Sequence, residues 1–377
     1  VNYLIGIMED IMNLDIKNKR ILYELMTNAR FSFKNIAERV GLSANAVKAR
    51  VDGMIHDKII EIFCQTIIRS HVGLDIEFNI LIKLKNITVE NKREAIEKLS
   101  KIERILHIME LQGRWDFSLS IVCINVFELR KYIDIIKQIL TEHLYEMDVL
   151  IINKHRFLQK YYFLEGLNIK STKVYKNDSS FQLELLNRKY YRGLVKLDDL
   201  DLHIIEIIKN NCRLSFEEIG KLLNKEPQSI KYRMRRMVQL NVLAESIPVI
   251  NYSKIGYEKY ILLLELKGNV ERKKQLFTFM KNVPYAYEYM TSINSWDIII
   301  TLHVKKGSNT FERFNTELID KFGDVLLNCE VLHVTQEHKY EFIPGNFIKF
   351  YTQELKENLN KRDFDEFTEK FPSLKII

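Results

Sequence analysis

Two short stretches of this 377-residue chain gather side chains that could read a nucleic-acid duplex. In the first, Ser43, Asn45, Lys48, Ala49 and Arg50 open a segment in which Val47, Val51, Met54 and Ile55 recur at helical spacing and should point inward. In the second, Gln228, Ser229, Lys231, Tyr232 and Arg233 take the same place, and Arg235 and Arg236 follow within reach of phosphate. Asn, Gln, Lys and Arg can hydrogen-bond base edges in the major groove, and cationic side chains also pair with the backbone. The chemistry indicated is recognition of double-stranded DNA, not bond breaking. No Gly-rich phosphate loop, Ser-His-Asp arrangement or paired-carboxylate pattern is legible, so no enzyme activity, cofactor or metal is expected.

Such faces need a scaffold to present them. Asp15 and Ser32 suit the caps of two preceding helices, whose inner faces are Ile21, Leu22 and Leu25, then Ile36, Ala37 and Val40. Gly41-Leu42 turns the chain tightly and Ser43 caps the third helix. Two short helices joined by such a turn, with a polar-basic outer face on the second, form the helix-turn-helix pattern. Adding 183 to the positions between Leu14 and Ile60 returns it: Leu14, Asp15, Asn28, Arg30, Ser32, Lys48, Arg50 and Met54 become Leu197, Asp198, Asn211, Arg213, Ser215, Lys231, Arg233 and Met237. A gapless repeat of that length marks a duplicated domain. In the second copy Pro227 takes the first helical position, where its missing N–H costs nothing.

Composition narrows the class without naming a partner. Hydrophobic residues make up 46% and charged residues 28%, as in ordinary globular proteins. Lys and Arg number 57 against 50 Asp and Glu, a net charge of +7 that fits an anionic partner but does not demand one. Cys64, Cys123, Cys212 and Cys329 are scattered singly in apolar or amphipathic elements, which reads as buried thiols in a reducing, cytoplasmic setting. No apolar run reaches membrane-spanning length, so no membrane partner is expected. The opening stretch carries Glu9 and Asp10 and no basic region, which makes it a poor signal peptide; an extra helix, or a natural start at Met8 or Met12, both fit it.

Beyond each helix-turn-helix the period changes from helical to alternating. Ile59 to Ile68 reads as a short wing or hinge strand. Phe78, Ile80, Ile82 and Leu84 share one face of a strand, Val89 to Leu99 is helical, and Arg104 to Leu111 is a second strand. Trp115, Phe117, Leu119, Ile121 and Cys123 alternate in a third strand; Phe127, Leu129, Ile133, Ile136 and Leu140 line a helix; Val149 to Asn153 is a fourth strand. The order βαββαβ is ferredoxin-like, with helices on one sheet face, and the other face calls for a similar sheet as cover, hence a dimer or pseudo-dimer. The same elements return from Tyr260 to Thr335, two residues closer together from Trp296-Asp297 onward.

The expected architecture is thus α+β: a leader (1–13), a winged helix-turn-helix (14–62), a ferredoxin-like domain (63–165), a linker (166–195), then a second helix-turn-helix (196–245), a second ferredoxin-like domain (246–345) and a tail (346–377). His333 and His338, five apart on a strand, point to opposite faces and make a poor metal pair, while His107, His143 and His155 read as singletons.

The opening L-D-x-x-x-x-x-I-L at Leu14, Asp15, Ile21 and Leu22, with A-E-R-V-G-L-S at Ala37 to Ser43, resembles the leucine-responsive/AsnC family of transcription regulators. Gly113-Arg114-Trp115-Asp116 is similar to that family's G-x-aromatic-D turn. The resemblance implies DNA binding by the first domain of each copy, and by the second, dimerisation or higher oligomers and capture of an amino acid or other small effector. On that basis Gly113, Trp115, Asp116 and Asp297 are candidate effector contacts, with turn-capping as the competing role for the two aspartates. The second copy departs from the pattern, with Asn294-Ser295-Trp296-Asp297 and no turn glycine, and with Asn224 to Pro227 in place of Gly41 to Ala44. Two other classes compete with sequence-specific regulation. Sirohaem decarboxylases share the layout, but their histidine- and arginine-rich pocket pattern is not found around Ile108 to Phe117. A non-specific architectural protein would coat DNA without choosing sequence.

Overall fold

Local sequence sets the helical boundaries as expected. The computed structural model describes residues 14–158, Asp75 excepted, and 194–355; the leader, the Leu167 to Ser180 linker stretch and the Phe367–Phe371 end of the tail lie outside the described residues. Helices α1 (Ile16–Thr27), α2 (Phe33–Val40) and α3 (Ala44–His56) form the first helix-turn-helix domain. Asp15, Ser32 and Ser43 each accept a backbone N–H of the first turn, from Asn18, Asn35 and Ala46. Gly41 ends α2 at φ +67°, a left-handed conformation that glycine adopts without strain. The second domain is α6 (Asp199–Ile208), α7 (Phe216–Leu223) and α8 (Pro227–Gln239), where Asn224 takes the left-handed position at φ 51°. Between the two domains lie α4 (Val89–Ser100) and α5 (Val126–Leu140); α9 (Val270–Asn282) and α10 (Thr310–Phe322) are their partners in the second copy.

The strands of the first copy are β1 (Ile60–Ile67), β2 (Ile76–Leu84), β3 (Ile105–Gln112), β4 (Phe117–Cys123) and β5 (Leu144–Phe157). Those of the second are β6 (Leu243–Ile250), β7 (Tyr257–Leu266), β8 (Ala286–Ser292), β9 (Ile298–Lys305) and β10 (Leu326–Tyr340). Each copy makes an antiparallel sheet, β3-β4-β2-β5 and β8-β9-β7-β10, and the two join edge to edge through β5–β8 and β10–β3 into one closed eight-stranded barrel. Closure covers the sheet faces left bare by the helices. Leu81, Trp115 and Leu150 meet Ile261, Leu263, Trp296 and Leu332 inside. The pseudo-dimer therefore forms within one chain. Closure also pairs strand edges that would otherwise be exposed.

The wing differs from expectation. β1 has no return strand of its own; it pairs antiparallel with β6 of the other copy, so the two wings make one shared ribbon. A single strand entering the barrel leaves its N–H and C=O groups to be satisfied by a neighbour, and the duplicate provides it. Each helix-turn-helix domain packs on the sheet of the other copy. The first shares a core with Ile255, Tyr257 and Tyr287, and the second with Val72, Leu74, Leu106 and Val122. The described part of the tail docks: Phe347, Phe350, Tyr351 and Leu355, with Phe342 and Ile343 just before it, are buried in the second of these cores.

Two side chains expected to face inward do not. Ile55 is 41% exposed and Phe127 is 83% exposed. Each sits one residue off its helix's buried stripe, and a single residue turns a side chain about 100° around the axis.

Candidate nucleic-acid interface

Helices α3 and α8 present the faces that the spacing indicated. Asn45, Lys48 and Ala49 are exposed on α3, and Gln228, Tyr232 and Arg235 are exposed on α8. Ser229 and Lys231 are half-buried, and the Ser43 hydroxyl serves α3 as its cap. Beneath them Val47, Val51 and Met54, or Ile230, Met234 and Met237, anchor the helix to its domain.

Three arginines of the candidate set are engaged inside their domains. Arg50 donates to Asp15 at 2.7 Å and to Asn18 at 2.8 Å. Arg233, its counterpart, pairs with Asp198 and Asp201, and Arg236 donates to Asp201 at 2.8 Å. Asp201 is fully buried, so these contacts brace α8 against α6. The exposed donors outside these pairs thus include Asn45 and Lys48 in one copy and Gln228, Tyr232 and Arg235 in the other.

A reciprocal exchange fixes the two domains to each other. Arg30 donates to the carbonyls of Cys212 and Leu214, while Arg213 donates to those of Ala29 and Phe31. Each guanidinium also lies over a phenylalanine of the opposite domain, Arg30 over Phe216 at 5.3 Å and Arg213 over Phe33 at 4.5 Å. A planar guanidinium suits this double task, because its fork reaches two carbonyls while its face stacks. With the β1–β6 ribbon, this exchange makes the two helix-turn-helix domains one body.

The candidate effector turn is occupied by structural work. Gly113 has φ +144°, and a Cβ there would meet Leu332 and the Val331 carbonyl of the other copy. Trp115 is 1% exposed, and its Nε1 donates to Glu330 at 3.1 Å. Asp116 accepts the backbone N–H of Leu84 at 2.7 Å, and Asp297 accepts that of Leu266 at 2.7 Å. Both aspartates therefore cap the ends of the first barrel strands, the competing role foreseen for them. In the second copy Asn294 stands in for the missing glycine, its amide bonding the Ile151 N–H and the Val149 carbonyl.

The barrel seams hold titratable groups that single-sequence reasoning did not connect. On the β5–β8 seam, His155 bridges Glu77 at 3.2 Å and Glu288 at 3.0 Å. Burial alone would push this imidazole down; the two carboxylates outweigh it and lift it to about 9. Burial would likewise raise Glu77 and Glu288, but Arg69 and His155 hold Glu77, and His155 holds Glu288, below the usual carboxylate range. Across the β10–β3 seam His338 pairs with Glu110 at 2.9 Å, and beside it, within the second copy, Lys259 of β7 pairs with Glu337 of β10 at 2.6 Å. The only hint in the sequence was the presence of charged residues, Glu77 and Lys259, on strand faces that needed a cover. Among the described residues no group of three or more His, Cys, Asp or Glu could hold a metal ion, and the four cysteines are free thiols.

The AsnC-type helix-turn-helix domain profile matches residues 14–55 and, again, 197–238. The chain therefore carries two AsnC-type helix-turn-helix domains and is similar to regulators of the leucine-responsive/AsnC family. An uncharacterised HTH-type transcriptional regulator of Pyrococcus abyssi is 25% identical over 148 residues, 39% of this chain and 99% of that protein. The HTH-type transcriptional regulator LrpC of Bacillus subtilis is 28% identical over 109 residues, 27% of this chain and 76% of its own length. Each of these matches covers under half of this chain. Among solved structures, the siroheme decarboxylase NirDL matches with a TM-score of 0.57, covering 90% of this chain and 98% of its own, at 13% identity. That likeness is one of fold. No helix among the described residues is long and apolar enough to cross a membrane.

Proposed function

We propose that this AsnC-type tandem is a sequence-specific DNA-binding transcription regulator whose two reading heads are held in one chain. The observation that carries it is the pair of exposed polar faces on α3 and α8, fixed to each other by the Arg30/Arg213 exchange and the shared β1–β6 ribbon. A symmetric dimer of single copies would present two identical faces. Here Asn45, Lys48 and Ala49 oppose Gln228, Tyr232 and Arg235, so the half-sites are unlike each other. Their centres lie about 10 bp or a multiple apart, as for other paired helix-turn-helix readers. Lys48 and Arg235 approach bases or phosphates, whereas Arg50, Arg233 and Arg236 act mainly by holding their helices. Four free cysteines, Cys64, Cys123 and Cys212 buried and Cys329 half-buried, fit a reducing, cytoplasmic setting.

Selection of bound sequences from a random duplex pool tests this reading. The expected outcome is a bipartite, non-palindromic site. Lys48→Ala should relax one half and Arg235→Ala the other, each at a cost of about 1–3 kcal/mol where a base contact is lost. Recovery of no enriched sequence, with binding that bulk DNA competes away equally well, would show an architectural protein. A tetrapyrrole absorption band on the purified chain would favour the decarboxylase alternative.

A further inference from the structure

A cavity of about 1080 Å³ lies between the β1–β6 ribbon and the second copy's half of the barrel. Among the described residues its wall includes Tyr252, Lys259, Tyr287, His303, Lys306 and Tyr340. Lys259 is 2% exposed, and its ammonium sits 5.2, 6.0 and 5.5 Å from the ring centroids of Tyr252, Tyr287 and Tyr340. An ammonium has three donors, and among the described residues Glu337 is the carboxylate that Lys259 pairs with. His303 stacks on Tyr252 at 4.7 Å and on Tyr287 at 4.5 Å, and burial keeps its imidazole neutral. The wall is therefore a set of planar faces grouped round one buried cation.

The counterpart of this place in the first copy shows what kind of occupant such a crevice takes. Tyr257, Tyr287 and His303 stand at the positions of Leu74, Leu106 and Val122, as the matched strand registers show. Those three apolar residues share a core with the chain's own C-terminal part, through Phe342 and the tail's Phe347, Phe350 and Tyr351. A cation completes the contact: the Arg104 guanidinium lies 4.1 Å from the Phe350 ring centroid. Met26 of the cavity wall corresponds to Lys209, which donates to the tail's Gly345 carbonyl at 2.6 Å. One crevice is apolar and holds aromatic side chains beneath a cation; the other carries phenols, an imidazole and a buried ammonium.

We propose that the cavity is a binding site for a small planar aromatic acid, its ring laid against the tyrosine faces and its anionic group on Lys259. Glu61, Glu258 and Glu337 also line the wall, which disfavours a ligand carrying several negative charges. Lys306, exposed at the wall and without an ion pair among the described residues, adds attraction for one anion. The wall includes Met26 of α1 and Ile247 and Val249 of the ribbon, so an occupant braces the first helix-turn-helix domain against the barrel. That consequence for DNA binding rests on the regulator reading; the site itself does not.

The test is a fluorescence titration of the full chain with anilinonaphthalene sulfonate, chased by indole-3-carboxylate and, separately, by neutral indole. The expected result is one saturable site from which the carboxylate displaces the dye about tenfold better than indole does. Lys259→Gln should weaken binding about tenfold and the exposed Lys306→Glu about threefold, with thermal melting showing that the variants are folded. Absence of saturable, displaceable binding overturns the site. So does equal displacement by indole together with unchanged affinity in Lys306→Glu. Failure of this titration with operator selection intact removes the ligand site alone, whereas saturable ligand binding without any enriched DNA sequence removes the regulator reading alone.

Discussion

The two copies share one scaffold but fill it with opposite chemistry. Glu77 on β2 and Lys259 on β7 each lie seven residues before the leucine whose N–H is held by the capping aspartate. In one copy that position is a carboxylate facing His155; in the other it is an ammonium facing Glu337. Gly113 answers to Asn294, Gly41 to Asn224, and the half-buried Asn18 to the fully buried Asp201. The crevice of one copy is packed by the tail, and that of the other is a cavity. Duplication kept the backbone solution, since caps, turns and barrel closure depend on local geometry that both copies must satisfy. Positions facing the space between domains were free to diverge, because each copy meets a different neighbour there.

The sharpest way to break this comparison is at Asp201. Asp201→Ala leaves Arg236 without its carboxylate and Arg233 with Asp198 alone, and should destabilise the second helix-turn-helix domain by about 3–5 kcal/mol. Asn18→Ala, at the matching position, should cost under about 1 kcal/mol, since Arg50 keeps Asp15. Urea unfolding of both variants checks this, and equal losses would mean the braces are equivalent. Next in size, Phe350→Ala removes a fully buried ring from beneath Arg104 and should cost about 3 kcal/mol, with faster hydrogen exchange in α6. If the tail were only draped on the surface, α6 exchange would stay as in the parent.

The seams sharpen the comparison with smaller effects. His155 titrates higher in the folded chain than the ordinary value of 6.5, reaching about 9. Its contribution is fully present below pH 6.5 and is lost as pH rises through 9, with a slope on the order of 1.4 kcal/mol per pH unit over that range. His155→Gln should flatten this alkaline limb in denaturant titrations, and an unchanged slope would place the proton elsewhere. On the acid side, His107 acts with the carboxylates, since burial lowers its imidazole to about 4 and the chain must keep it neutral. Stability should therefore fall below pH 6.5 as well, even in His155→Gln.

Much of the scaffold was legible in the residues. Caps at Asp15, Ser32 and Ser43, the turn at Gly41 and the alternation of β2 to β4 are local, and each appears where its residue type requires. The exposed contact face of α3 follows from helical spacing alone. What escaped was mostly long-range. The wing was read as part of its own domain, yet β1 finds its partner about 180 residues away in β6. Arg50 and Arg233 read as groove-facing because spacing places them near that side; their carboxylate partners on α1 and α6 were invisible to a helical wheel. His155 read as a singleton because Glu77 and Glu288 come from strands that meet only when the barrel closes.

By itself, then, the sequence determined the repeat, the helical heads and the βαββαβ order, because capping, turn chemistry and hydrophobic period act over a few residues. Only the tertiary structure decided that the duplicate sheets close on each other within one chain, that each head rests on the opposite copy, and that one crevice is filled while the other is walled with phenols round a lysine. Those outcomes depend on which distant edges and faces meet, and pairing between remote strands leaves no period in the chain to read.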